Sequence, residues 1–193
     1  MKENQNLFRD LQEDFRKMKK NLLVAQSGGP TAAINATLAG VIGQAMKEEQ
    51  IDQVYGACYG IQGVLEQKFV NLTEKVDTEE KLEKLKRTPA AALGSCRFKL
   101  NDIKEDDSQY QEIVDILHKM NIGYFVYIGG NDSMDTVGKM SMYVKKHQMD
   151  VKVIGIPKTI DNDLVVTDHT PGFGSAARYV AASILEMAHD TYI

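Results

Sequence analysis

Apolar positions along the chain alternate between helix-like and strand-like spacing. Phe8, Leu11, Phe15 and Met18 recur at helical intervals, which predicts an amphipathic helix over residues 5–18. Leu22 to Gln26 is a short apolar run that reads as a buried strand. Small residues dominate from Pro30 to about Glu48 and predict a helix able to pack closely on a sheet, with Pro30 suited to its first turn. "QVYGACYG" reads as a second strand. Residues 60–100 are mixed, with a charged helical piece at 78–87 and a turn at "LGSCR". A helix at 108–121 precedes a strand at 123–128. A second helix, about 133–147, precedes a strand at 151–156. A long helix follows in "TPGFGSAARYVAASILEMAHD", begun by Thr170-Pro171 or Gly174-Ser175. Strands alternate with helices, and several strands are continuous apolar runs. That pattern predicts an α/β fold of three layers, a doubly wound and mostly parallel sheet covered on both faces.

Composition narrows the class. The chain has 193 residues, 43% hydrophobic and 26% charged, which suits a soluble globular domain. Its 23 basic and 27 acidic residues leave a net charge of −4, so there is no electrostatic case for nucleic acid or an anionic membrane. No apolar stretch approaches the roughly 20 residues that span a bilayer. Cys58 and Cys96 lack metal-type spacing and read as reduced, small hydrophobic side chains. The four histidines, at 118, 147, 169 and 189, are scattered and read as structural or solvent-facing. The first 20 residues form an amphipathic extension, and residues 21–193 form the α/β domain. The chain stops directly after a helix, where an alternating pattern expects another strand, so the domain is expected to be incomplete.

Chemistry concentrates in the loops that follow three strands. In a parallel sheet such loops share one edge, where ligands bind. Ser27-Gly28-Gly29-Pro30 is either a phosphate cradle at a helix N-terminus or a tight turn that needs positive φ. It is neither a Walker loop nor a dinucleotide fingerprint. Gly129-Gly130-Asn131-Asp132-Ser133 is either a helix cap or an oxygen-rich shelf for Mg²⁺. Arg97 is either an anion clamp or a solvated surface arginine. "PKTIDND" (157–163) places Lys158, Asp161 and Asp163 directly after a strand. A turn needs the Asn and Asp but not the lysine. Lys158 is suited to act as a point cation on phosphate, Asp161 to accept a proton from a hydroxyl, and Asp163 to position a substrate or water.

"SGGPTAAIN", "LGSCR", "GGNDS", "PKTIDND" and "TPGFGSAARY" occur in the order and spacing of the 6-phosphofructokinases. The chain resembles the pyrophosphate-dependent members over all but its first twenty or so residues. The resemblance implies phosphoryl transfer from pyrophosphate to the 1-hydroxyl of fructose 6-phosphate, a glycolytic step, with Mg²⁺, a cytoplasmic location and a homo-oligomer. It implies that Asp161 is the catalytic base and that Thr159, Ile160 and Asp163 belong to the substrate loop. It puts Gly28, Gly29, Arg97 and Lys158 against the donor and makes Asn131 and Asp132 the metal shelf. The family's usual aspartate is Asn131 here, which contributes an oxygen but no charge. Family members are considerably longer, so this chain carries the donor half and lacks most of the sugar-phosphate pocket. Two alternatives stand beside this reading: an ATP-dependent enzyme of the same fold, and a non-catalytic subunit or fragment that assembles with a complete one.

Three positions bear on the donor. ATP-using members of the family carry glycine where this chain has Asp132, Thr136 and Lys158. Unit charges about 4 Å apart interact by about 4 kcal/mol at an effective dielectric of ~20, roughly a thousandfold in binding. A carboxylate at 132 would therefore disfavour a nucleotide α-phosphate, while Lys158 would stabilise charge on pyrophosphate in the transition state. The Asp132→Gly, Lys158→Gly double variant is expected to gain ATP use and lose pyrophosphate use in initial-rate assays. An unchanged donor preference would refute the assignment.

Overall fold

The computed structural model describes residues 19–192; the helix expected over residues 5–18 lies outside them. Five strands form one sheet: β1 (Lys20–Gln26), β2 (Ile51–Ala57), β3 (Phe69–Asn71), β4 (Ile122–Gly129) and β5 (Lys152–Pro157). The helices are α1 (Ile34–Ala45), α2 (Gly60–Leu65), α3 (Leu72–Lys75), α4 (Glu79–Arg87), α5 (Ser108–Lys119), α6 (Asn131–Lys146) and α7 (Phe173–Thr191). The sheet order is β3-β2-β1-β4-β5. All pairs are parallel except β2 with the short β3.

Alternating side chains of the central strands face two cores. Leu23, Ala25, Phe125 and Tyr127 pack with Ile61, Ile113, Leu117 and Met140 from α2, α5 and α6. Leu22, Val24, Val126 and Ile128 pack with Ile34, Leu38 and Ile42 of α1, whose four-residue spacing puts them on one stripe. Fully burying one such side chain stabilises by about 1.5–3 kcal/mol. Coverage of both faces holds at the centre of the sheet. On β5, Ile154 remains 46% exposed, and α7 buries none of its residues.

Several boundaries differ from the sequence expectation, each for a local reason. Pro30 does not open α1, which begins at Ile34. The residues between turn the chain across the sheet edge, starting with Gly28 at φ +76. α6 begins at Asn131 with Gly130 as its N-cap, and no side chain caps it. α7 begins at Phe173, between the two expected starts. Gly172 precedes it at φ +101, where a Cβ would lie 2.9 Å from Thr31 Cβ. The mixed region yields β3, α2 and α3, elements too short to show a period. α4 follows its pattern closely: the Thr78 side chain accepts from Lys81 N–H, acids open the helix and bases close it.

A buried amide network anchors residues 88–93, which lead into "LGSCR". Gln26 donates to Asn35 Oδ1 (3.0 Å) and to the Ile34 carbonyl (3.2 Å), and accepts from Leu93 N–H (2.9 Å). Asn35 donates to the Thr88 carbonyl (2.9 Å) and accepts from Ala92 N–H (2.8 Å). Both side chains are fully buried. Removing one member leaves the others unsatisfied in the core, which costs about 1–3 kcal/mol per group. Asn35→Ala is therefore expected to lower unfolding free energy by roughly 3 kcal/mol, read from the midpoint shift in urea denaturation at unchanged slope. A loss below about 0.5 kcal/mol, the range of neutral surface changes, would show that the network is not coupled to folding.

Candidate active site at the strand carboxyl ends

β1 turns toward β2 on one side while β4 and β5 lie on the other, so the sheet's switch point falls between β1 and β4. Ligand crevices of doubly wound sheets open at such points. Here a cavity of about 390 Å³ lies at that edge. It brings together Gly28 and Gly29 after β1, Arg97 from the irregular run after α4, and Asn131, Asp132 and Thr136 from α6. These six were expected at one site from three distant segments. Ser27 and Ser133 of the same motifs line it too, as does Cys96, read from the sequence only as a small hydrophobic side chain; Phe98, Lys99 and Tyr127 also line it and were not singled out from the sequence. Phe98 and Lys99 simply continue the run begun by Arg97. Tyr127 is read only as an inward position of an apolar strand until the strand has neighbours.

The wall carrying Arg97 is pinned to the end of β1. Ser27 Oγ donates to the Cys96 carbonyl (3.1 Å), and Ser95 Oγ donates to the Gly28 carbonyl. The opposite wall is the start of α6. Its first N–H groups have no side-chain cap, and Gly130 to Ser133 line the cavity. Uncapped N–H groups and the helix dipole favour an anion there. Thr136, 5% exposed, donates back to the Asp132 carbonyl (3.1 Å), fixing its rotamer. Cys58 and Cys96 are both free thiols.

The third loop sits behind this cavity. Lys158 does not line it. Its N–H donates to the Gly129 carbonyl (2.9 Å), extending the β4–β5 ladder by one step. Its side chain is buried and donates to the Gly29 carbonyl, crossing from the third loop to the first. A Cβ at Gly28 would lie 3.0 Å from Lys158 Nζ and 3.3 Å from Gly130 N, a tight fit at a position whose φ of +76 already favours glycine. Burial pulls the Lys158 pKa below the usual lysine range, and the Asp161 carboxylate partly opposes that shift.

Thr159 is buried. Its Oγ1 accepts from Asp161 N–H (3.0 Å), and its carbonyl accepts from Thr170 Oγ1 (2.7 Å). Asn162, at φ +57, accepts from Thr170 N–H (2.9 Å) and donates to the Asp168 carbonyl (3.0 Å). The turn function of this loop therefore belongs to Asn162, Thr159 and Thr170. Ile160 and Asp161 are left exposed. Asp163 accepts from Asn131 Nδ2 (3.1 Å), tying the third loop to α6. That bond, with a smaller contribution from Thr159, holds its carboxyl below the usual range.

Among the described residues, no three His, Cys, Asp or Glu side chains converge to hold a metal ion. The amide and carboxylate oxygens among the lining side chains are those of Asn131 and Asp132. That small set suits Mg²⁺ only where phosphates and water complete the shell. No helix among the described residues is long and apolar enough to cross a membrane.

This arrangement defines a doubly wound α/β protein with a crevice at its switch point whose lining suits an anion. The phosphofructokinase family model matches residues 21–192, and the chain belongs to the phosphofructokinase family. It is 45% identical over 170 residues to the pyrophosphate–fructose 6-phosphate 1-phosphotransferase of Xanthomonas campestris pv. campestris (strain B100), covering 88% of this chain and 40% of that protein. It is 48% identical over 163 residues to the protein of the same name from Rhodospirillum rubrum, covering 84% of this chain and 39% of that one. The crystal structure of a pyrophosphate-dependent phosphofructokinase from Nitrosospira multiformis superposes with a TM-score of 0.80 at 40% identity, covering 89% of this chain and 42% of that chain. The chain thus spans about two fifths of the length of these relatives.

Tyr127 reports on the dryness of the cavity floor. It is 1% exposed, its oxygen accepts from Ile61 N–H (3.2 Å), and burial pushes its pKa up to about 12. A folded-state pKa above the unfolded value of about 10 adds stability that is complete below pH 10 and lost as pH rises through 12. Two units correspond to about 2–3 kcal/mol. Tyr127→Phe is expected to remove the last-ionising component at 295 nm and to flatten the loss of stability between pH 10 and 12. An unaltered alkaline titration would contradict this placement.

Proposed function

We propose that this chain carries the phosphoryl-donor side and the catalytic base of a pyrophosphate-dependent 6-phosphofructokinase. The observation that supports it most directly is that the first two loops and the Arg97 segment line one anion-suited cavity, with the third loop tied to both from behind. Lys158 ties the third loop to the first through Gly29, and Asn131–Asp163 ties it to the second. A volume of about 390 Å³ lies within the range of small-molecule sites. Relatives bearing the name pyrophosphate–fructose 6-phosphate 1-phosphotransferase support the choice of donor.

In this reading pyrophosphate lies between Gly28-Gly29 and the α6 N-terminus, with Arg97 on its oxygens. The 1-hydroxyl oxygen of fructose 6-phosphate attacks one phosphorus, the bridging P–O bond breaks, and orthophosphate leaves. Asp161, exposed on the third loop, takes the hydroxyl proton, giving fructose 1,6-bisphosphate. Thr159 holds the Asp161 N–H, Ile160 borders the same turn, and Asp163 orients the loop against Asn131. Asn131 and Asp132 would hold Mg²⁺, which neutralises charge on the donor oxygens when bound. Lys158 raises the local positive potential from behind Gly28 and fixes the loop geometry. The domain is the donor half of a cytoplasmic homo-oligomeric enzyme in this reading.

The test is an initial-rate assay on the natural polypeptide that carries these residues, with fructose 6-phosphate, Mg²⁺ and either pyrophosphate or ATP. Turnover with pyrophosphate alone is expected. Asp161→Asn should lower kcat by about 10²–10⁴-fold, the usual contribution of a positioned general base, with little change in pyrophosphate KM. Turnover with ATP alone would overturn the donor. A kcat that survives Asp161→Asn would overturn the base.

A further inference from the structure

We infer that Lys99 is a donor-positioning residue, acting by neutralising Asp132 so that a polyanion can enter beside it; this rests on the functional reading above. Lys99 and Asp132 come from opposite walls. Lys99 belongs to the irregular run after α4, and Asp132 is the second residue of α6. Their side chains meet at 3.0 Å, and both line the cavity. Among the described residues, Asp132 is the single acid in the lining, against two cations, Arg97 and Lys99.

The charge balance follows directly. Asp132 alone repels any donor with several negative oxygens, whether nucleotide or pyrophosphate. With Lys99 at ion-pair distance, that repulsion is largely cancelled for a small anion lying deeper in the cavity. The two side chains are 74% and 75% exposed, so the pair does little for fold stability. An exposed pair of walls that contributes little to folding, yet spans the mouth of an anion cavity, is placed to act on the ligand. It also revises the role read for Asp132 from the sequence. The carboxylate does not face the donor as a bare charge. A bulkier donor meets the paired side chains as an obstacle and must separate them to pass.

The experiment is a double-mutant cycle read by calorimetric binding of inorganic pyrophosphate without Mg²⁺, so that Asp132 acts only through its charge and not as a holder of the metal. The natural polypeptide is used as wild type, Lys99→Met, Asp132→Asn and the double variant. Lys99→Met is expected to weaken pyrophosphate binding by roughly three- to tenfold at low ionic strength, and less in 0.5 M salt, where screening shortens the reach of exposed charges. Adding Asp132→Asn should restore most of that loss. Lys99→Arg should behave as wild type. The melting temperature should move little in any variant, which separates this role from a structural one. Unchanged affinity in Lys99→Met, or a loss that Asp132→Asn does not relieve, would overturn the proposal. If wild type fails to turn over pyrophosphate, the functional reading fails instead. If it turns over pyrophosphate and the cycle is additive, only the role of Lys99 fails.

Discussion

The site depends on one buried cation reaching across the sheet edge. Lys158 leaves the end of β5, passes behind Gly28 and donates to the carbonyl of Gly29. An ammonium taken out of water is costly unless it is hydrogen-bonded and near opposite charge. The Gly29 carbonyl and the Asp161 carboxylate supply those partners. Three constraints follow. Position 28 favours glycine, because its φ of +76 is left-handed and a Cβ there would press on the lysine's ammonium. The first and third loops must stay within one side chain of each other. Asp161 must stay close enough to be felt. The lysine that has no role within its own turn has one in joining two turns.

The cavity walls meet the same need by different means. On the α6 side, the uncapped start of the helix lines the cavity, and the missing cap is what leaves its N–H groups available. On the Arg97 side there is no helix or strand to impose shape. Residues 88–100 are held instead by side chains of neighbours: Asn35 and Gln26 at the start, Ser27 and Ser95 near Arg97. Buried, fully satisfied amides specify one arrangement strongly, because any other leaves polar groups without partners. The backbone leading into Arg97 is thus fixed without a regular element.

Much of the fold was legible because the central strands are continuous apolar runs and the longer helices have clear stripes. The order of α1, α5, α6, β1, β4 and β5 follows from those patterns. β3, α2 and α3 were not legible, since three to six residues show no period. The helix starts were misread where chain-crossing loops delayed them, as at Pro30. The site motifs were legible as loops after strands, and parallel pairing made them neighbours. What Lys158 and Asp132 touch was not legible, because each partner is remote in sequence.

By itself, then, the sequence determined the residue types and their placement at strand ends, because local hydrophobic period and turn chemistry are encoded within a few neighbouring residues. It determined that glycines, an arginine, a lysine and several acids would gather at one edge. Only the tertiary structure decided which of them face the cavity and which support it. It put Lys158 behind the cavity rather than in its lining, and set Lys99 against Asp132 at 3.0 Å. The physical reason is that charge and hydrogen-bond pairing depend on distance through space. Distances between separate loops are set by how the sheet orders its strands.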